Sequence, residues 1–203
     1  MTMSTVDPVM HRRHDLFNLF CLPVILYYLS CFLIDFYRGN HADFLFVFSV
    51  GEVYFLVDTL WLIIWPHSVA SPKLIIGHHF LSALGWYLPI LVPDLAPWVS
   101  ACLLVEVNTF FLIAKRYFHD VNYMRVLLKI CFHITWVTLR VIMYPAIVYF
   151  YSYKVIAHCQ SQGTYVNVQS LGFVLVSCLT ILNMKWSYDL YFGKATPKAK
   201  HGL

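Results

Sequence analysis

His78 and His79 stand side by side near the start of an apolar stretch, Leu74–Val92, that is long enough to cross a bilayer. Imidazoles are polar and titrate near neutrality, so a pair inside a hydrocarbon-spanning helix is costly and by default marks a functional site. Consecutive helical residues point about 100° apart. One ring can therefore face an interior cavity while the other braces against a neighbouring helix. A neutral imidazole so placed serves as a general base, or as a nucleophile toward an activated acyl group. A carboxylate such as Asp58 or Glu106 would orient it and stabilise its imidazolium form. Arg140 would stabilise a developing oxyanion or hold a phosphate. Asn108, Thr109, Asn183 and His133 add hydrogen-bonding capacity, and 16 Phe, 14 Tyr and 6 Trp would wall a cavity for a long acyl chain.

Composition says what carries these residues. Apolar types make up 60% of the 203 residues and charged types 12%, against about 45–50% and about 25% in soluble domains. The apolar residues fall into six blocks: Leu16–Tyr37, Phe44–Trp65, Leu74–Val92, Leu95–Ala114, Val126–Tyr151 and Val166–Met184. Each approaches the ~20 residues that span a ~30 Å hydrocarbon core, where the backbone satisfies itself best as helix. The expected fold is all-α: a polytopic membrane protein of six transmembrane helices around a lipid-accepting cavity. Its expected organisation is a cytosolic segment 1–15, a membrane domain 16–190 and a cytosolic tail 191–203. The first block exceeds the ~7–15 residues of a signal-peptide core and lacks a small-x-small cleavage site, so it reads as a retained span.

With six spans, Arg12, Arg13, Lys73, Lys115, Arg116, Arg125, Lys194, Lys198 and Lys200 all fall on one side of the membrane, and Arg38 and Lys154 on the other. The excess of Lys and Arg places both termini in the cytosol. The net charge of +4 belongs to these flanks and gives no argument for nucleic acid. Measured from the charged ends at ~1.5 Å per residue, the histidine pair lies roughly 6–8 Å into the hydrocarbon, Asp58 and His133 roughly 10 Å, and Glu106 roughly 12 Å. Arg140 lies near mid-membrane. Residues from four spans thus converge on the cytosolic half.

Several have plainer readings. Glu106 and Arg140 can be a buried ion pair that joins two helices. Glu52 sits nearer the opposite face, Asp58 can make a structural hydrogen bond, and His133 can be an interhelical histidine. The six cysteines are scattered without a C-x-x-C pair, and only Cys159 is expected in a non-cytosolic loop, so no disulfide framework is readable.

Tyr54-Phe55-Leu56-Val57-Asp58, then His78-His79, then Glu106-Val107-Asn108-Thr109-Phe110-Phe111-Leu112, then Thr138-Leu139-Arg140 ahead of Pro145, and finally Asn183-Met184-Lys185-Trp186 resemble, in that order, the TLC-domain family, which includes the ceramide synthases. The resemblance covers about residues 45–195. It implies a ring of six helices around a lipid-accepting cavity, most often in the endoplasmic reticulum. It also implies that His78 and His79 match the tandem histidines that carry acyl transfer from acyl-coenzyme A to a long-chain base. Where ceramide synthases have His-Asp-x-x-Asp, this chain has Val105-Glu106 and then Thr109, which weighs against ceramide synthesis itself. The chain looks closer to the small TLC-domain-containing proteins.

Two functions compete. In the first, the chain is an acyltransferase-like enzyme with His78, His79, Glu106 and Asp58 as the catalytic group. Arg140, Asn108, Thr109 and His133 then bind substrate, and acyl-coenzyme A is the donor with no resident cofactor. In the second, the chain binds membrane lipid in the same cavity without catalysis and regulates lipid composition or trafficking. A metal or haem enzyme fits poorly, because the remaining histidines, His119 and His133 among them, are isolated. A channel or transporter has only the polar residues of the spans in its favour.

Overall fold

The protein's structure, a computed structural model, describes residues 6–40, 43–118 and 120–193; His119 and the C-terminal lysines Lys194, Lys198 and Lys200 lie outside the described residues. Among them, six helical segments are long and apolar enough to span a membrane: Pro8–Tyr37, Phe44–Ile64, Pro72–Leu91, Pro93–Tyr117, Asn122–Gln162 and Val168–Tyr191. Helix α1 is Pro8–Tyr37, α2 is Phe44–Ile64 and α3 is Pro72–Leu91. The fourth segment divides into α4, Ala96–Leu103, and α5, Glu106–Tyr117. The fifth comprises α6, Asn122–Thr135, a π-helical stretch Trp136–Met143, and α7, Tyr144–Gln162. The sixth is α8, Val168–Tyr191.

The segments form a ring. α1 packs on α2, α2 on α3, α3 on α8, α8 on α7, α6 on α5, and α5 returns to α1. One core cluster gathers Leu22, Ile25, Leu29, Phe55 and Trp86 from the first three helices. A second gathers Leu88, Val105, Tyr144, Ile147, Leu175 and Leu179. Outward-facing Phe20, Leu56, Phe80, Ile130 and Ile181 are exposed, as a lipid-facing belt requires. Lipid tails compete equally for apolar faces, so close packing and interhelical hydrogen bonds hold such a ring. Gly51 supplies one close approach: a Cβ there would meet Trp86 Nε1 at 2.9 Å.

Two segments run longer than their apolar blocks. Asp7 caps α1 through its carboxylate and Pro8 opens it, a pairing that starts helices well. The helix therefore begins before Leu16 and takes in His14 and Asp15, both buried. The 41-residue fifth segment is about 60 Å long at ~1.5 Å per residue, twice a ~30 Å hydrocarbon core. Cys159 consequently lies in α7 and not in a loop; it is buried, with Ser170 Oγ and Asn167 Nδ2 beside its sulfur at 3.4 and 3.3 Å.

The helical ladder is irregular in two places. Ahead of Glu106 the backbone tightens to three-residue bonds, Val105 N to Cys102 O and Val107 N to Leu104 O, and the Tyr144 hydroxyl donates to Cys102 O at 3.1 Å. In the fifth segment Pro145 cannot donate, and its ring crowds the carbonyl four residues earlier; the preceding turns widen into the π-helix. Such irregularities cluster at functional sites. These two flank the same polar cage.

Candidate functional site

The polar residues form two linked groups. The first is centred on Asp58, which is 3% exposed. Its Oδ1 accepts from His14 Nε2 at 2.6 Å and from Asn18 Nδ2 at 3.2 Å. The Tyr54 hydroxyl donates to Asn18 Oδ1 at 2.6 Å, which fixes the amide with its nitrogen toward the carboxylate. Asp58 Oδ2 faces His79 Nε2 at 3.5 Å, and Thr59 Oγ1 lies 3.2 Å from His79 Nδ1. Asp58 thus sits between two imidazoles from different helices, and both nitrogens of His79 are occupied.

The second group surrounds Arg140. Its Nε donates to Asn108 Oδ1 at 2.9 Å, Nη1 to Asn183 Oδ1 at 2.6 Å and Nη2 to Thr109 Oγ1 at 3.2 Å. Asn108 is oriented by its own donations to Phe132 O and Thr135 Oγ1, both at 3.0 Å. Trp136 and Trp186 lie 5.0 and 5.4 Å from the guanidinium carbon, within cation–π range. No ion pair joins Glu106 to Arg140 among the described residues. Two amide oxygens and a hydroxyl hold the cation directly, and the Glu106 carboxylate acts on it electrostatically from beyond ion-pair distance. A buried guanidinium whose direct hydrogen-bond partners are neutral can still stabilise a developing anion.

His78 links the groups. Its ring is 5.8 Å from that of His79 and meets Trp186 edge-on at 5.3 Å. It is 7% exposed, makes no hydrogen bond among the described residues, and its Nδ1 is sealed without a partner. Of the tandem pair, His79 is held and His78 is chemically free.

Two spaces adjoin these groups. An apolar cavity of about 70 Å³ is lined by Phe55, Trp86, Trp98, Tyr144, Leu179 and Glu106, among others. Neither histidine lines it. Of the two spaces, the cavity has Glu106 in its wall and the groove has an imidazole. His78 lies one helical turn from the cavity-lining Ser82 and lines a separate groove between α3 and α8.

Of the residues singled out from the sequence, Asp58 and His79 meet, as do Arg140, Asn108, Thr109 and Asn183. Glu106 belongs to the cavity. His133 joins neither group; it is half-buried with Nδ1 3.3 Å from the Tyr191 hydroxyl. Glu52 stands apart with one oxygen buried and unpartnered. The sequence reading missed His14, Asn18 and Trp136. The Asp7-Pro8 helix start, with His14 and Asn18 one turn apart on one face, was the available signal.

A ring of six spans with an apolar cavity, and beside it tandem histidines and a caged arginine, defines a polytopic membrane protein with a lipid-related role. The TLC domain model matches residues 9–191, and the chain belongs to the TLC-domain family. No curated protein and no solved structure matched significantly.

Proposed function

We propose that this protein transfers an acyl chain from acyl-coenzyme A to a lipid acceptor in the endoplasmic reticulum membrane, with both termini cytosolic. The observation that carries the reading is His78, a buried imidazole without a polar partner, placed between an apolar cavity and a groove. His78 takes the proton of the acceptor's hydroxyl or amine as that atom attacks the thioester carbonyl. The C–S bond breaks, and the departing thiolate receives the proton. His79, anchored by Asp58 and Thr59, fixes the turn that presents His78. Arg140, 5.4 Å from the Trp186 ring that His78 touches, favours the oxyanion. The acyl chain enters the apolar cavity that Glu106 helps to line. The termini are supported by one end of the ring, where Arg116 pairs with Asp15 and Arg12 lies over Tyr117.

The test is acyl transfer by purified protein in lipid nanodiscs, with products read by mass spectrometry. General-base loss costs about 10²–10⁴-fold, so His78→Ala should fall by at least that lower figure while remaining folded. Undiminished turnover in that variant would refute the reading. One observation favours a non-catalytic lipid-binding role: Thr109, where a second carboxylate stands in ceramide synthases, is engaged by Arg140. Under that role wild-type protein co-purifies with lipid, shows no turnover, and a His78→Ala/His79→Ala strain keeps a normal lipid profile.

A further inference from the structure

The space on the outer side of His78 has the features of a headgroup site. A groove of about 500 Å³ runs between α3 and α8. Leu74, Leu81, Ile181 and Leu182 wall it, and His78 lies at its back. Gly77 opens it, since a Cβ there would meet nothing within 4 Å. Lys73 from α3 and Lys185 from α8 line the same groove, at the end of the ring that carries most of the positive charge. Lys185 also donates to Asp189 Oδ2 at 2.5 Å, but an ammonium has three donors and both side chains are half exposed.

These features select one ligand chemistry. Two ammonium groups beside an apolar trough match a phosphate attached to an acyl tail. Lys73 precedes His78 by about 7.5 Å along the helix axis at ~1.5 Å per residue. A phosphate held by the lysines therefore places the adjoining glycerol of the lipid at the imidazole. His78 is more than nine-tenths buried and part of this groove, and its Nδ1 is sealed, so a hydroxyl arriving there meets Nε2, which no described residue engages. A two-tailed phosphoglyceride has its glycerol hydroxyls esterified; a lysophospholipid keeps one free. We infer that the α3–α8 groove binds a lysophospholipid from the adjacent leaflet, its phosphate between Lys73 and Lys185 and its free hydroxyl at His78. Its role as the acyl acceptor rests on the transfer reading above; its binding does not.

The experiment is equilibrium binding of lysophosphatidic acid to the purified full chain in nanodiscs of neutral lipid. The comparison ligands are monoacylglycerol and glycerol phosphate. Each lysine forms a charge-assisted bond, so Lys73→Ala and Lys185→Ala should each weaken binding about tenfold. Monoacylglycerol, lacking the phosphate, and glycerol phosphate, lacking the tail, should each bind at least about tenfold more weakly. Gly77→Trp should block the groove, whereas Gly85→Leu, which fills the inner cavity, should leave binding intact. His78→Ala should still bind while losing any transfer, so failure of the chemistry and failure of the site give different results. Equal binding by the double lysine variant, which alters only exposed side chains, overturns the inference even if Gly77→Trp does not fold. Equal affinity for monoacylglycerol overturns it, as does equal affinity for glycerol phosphate, which would mark a free-phosphate site. Loss of binding in Gly85→Leu but not in Gly77→Trp would place the ligand in the cavity and likewise overturn it.

Discussion

Asp58 is the best position at which to measure what holds the site together. Asp58→Ala removes the acceptor for His14 Nε2 at 2.6 Å and Asn18 Nδ2 at 3.2 Å, and the anion facing His79. Bonds to charged groups contribute about 1.5–3 kcal/mol each, and removing one member of a buried ionic group costs about 3–5 kcal/mol. Neutral interhelical bonds in membranes average only about 0.6 kcal/mol, so the size of the loss tells which regime applies. We expect about 3–5 kcal/mol for Asp58→Ala. Asp58→Asn keeps one oxygen for His14 and Asn18 and turns an amide N–H toward His79, which can answer with its other tautomer; the cost should be about 1–2 kcal/mol. The assay is unfolding in mixed micelles followed by tryptophan fluorescence, since the Trp61 ring lies 5.8 Å from His14 and 5.9 Å from Phe17. A double-mutant cycle with His14→Ala should return a coupling of about 1.5–3 kcal/mol. A loss below about 0.5 kcal/mol, the usual range of a surface substitution, or a coupling near zero, would refute the charge-centred account.

Three further outcomes follow from the packing. Gly85 lines the cavity and a Cβ there meets nothing within 4 Å, so Gly85→Leu should fold normally yet reduce co-purified acyl lipid, as measured by mass spectrometry. Gly51→Ala forces Trp86 from its bond to Phe48 O and should cost about 1–3 kcal/mol; unchanged thermal stability would count against the close approach. Arg140→Lys exchanges a planar fork with three directed bonds for one ammonium. It should cost about 2–3 kcal/mol in the same unfolding assay, and wild-type stability would contradict the cage.

The six spans were legible because hydrocarbon imposes length and composition directly, and the polar residues Asp58, His79, Asn108 and Arg140 were legible because each is expensive in that medium. What hydropathy could not display was the polar first turn of α1. His14 and Asn18 sit where the chain looks like a solvated lead-in, and only the helix-start pair Asp7-Pro8 tells otherwise. Rotation about the helix axis was equally hidden. His133 and Arg140 share one segment, but Arg140 lies within the π-helical stretch that follows the helix of His133, and this stretch breaks the regular 100° step. Arg140 consequently points inward at Asn183, while His133 meets Tyr191 near the periphery. Glu106 and Arg140 interact at a distance and not in contact for a related reason: the tightened turn before Glu106 directs it to the cavity wall and presents Asn108 and Thr109 to the guanidinium.

The widened turns at Trp136–Met143 also act as a phase adjuster for everything beyond them. Tyr144, Ile147 and Tyr151 reach the cavity from α7 only with the winding those turns supply. Each residue deleted there would swing the far half of the segment by about 100°, carrying these side chains off the cavity wall while leaving their helix intact. The angular setting of this wall is therefore encoded in eight residues of unusual winding, upstream of every side chain it aims.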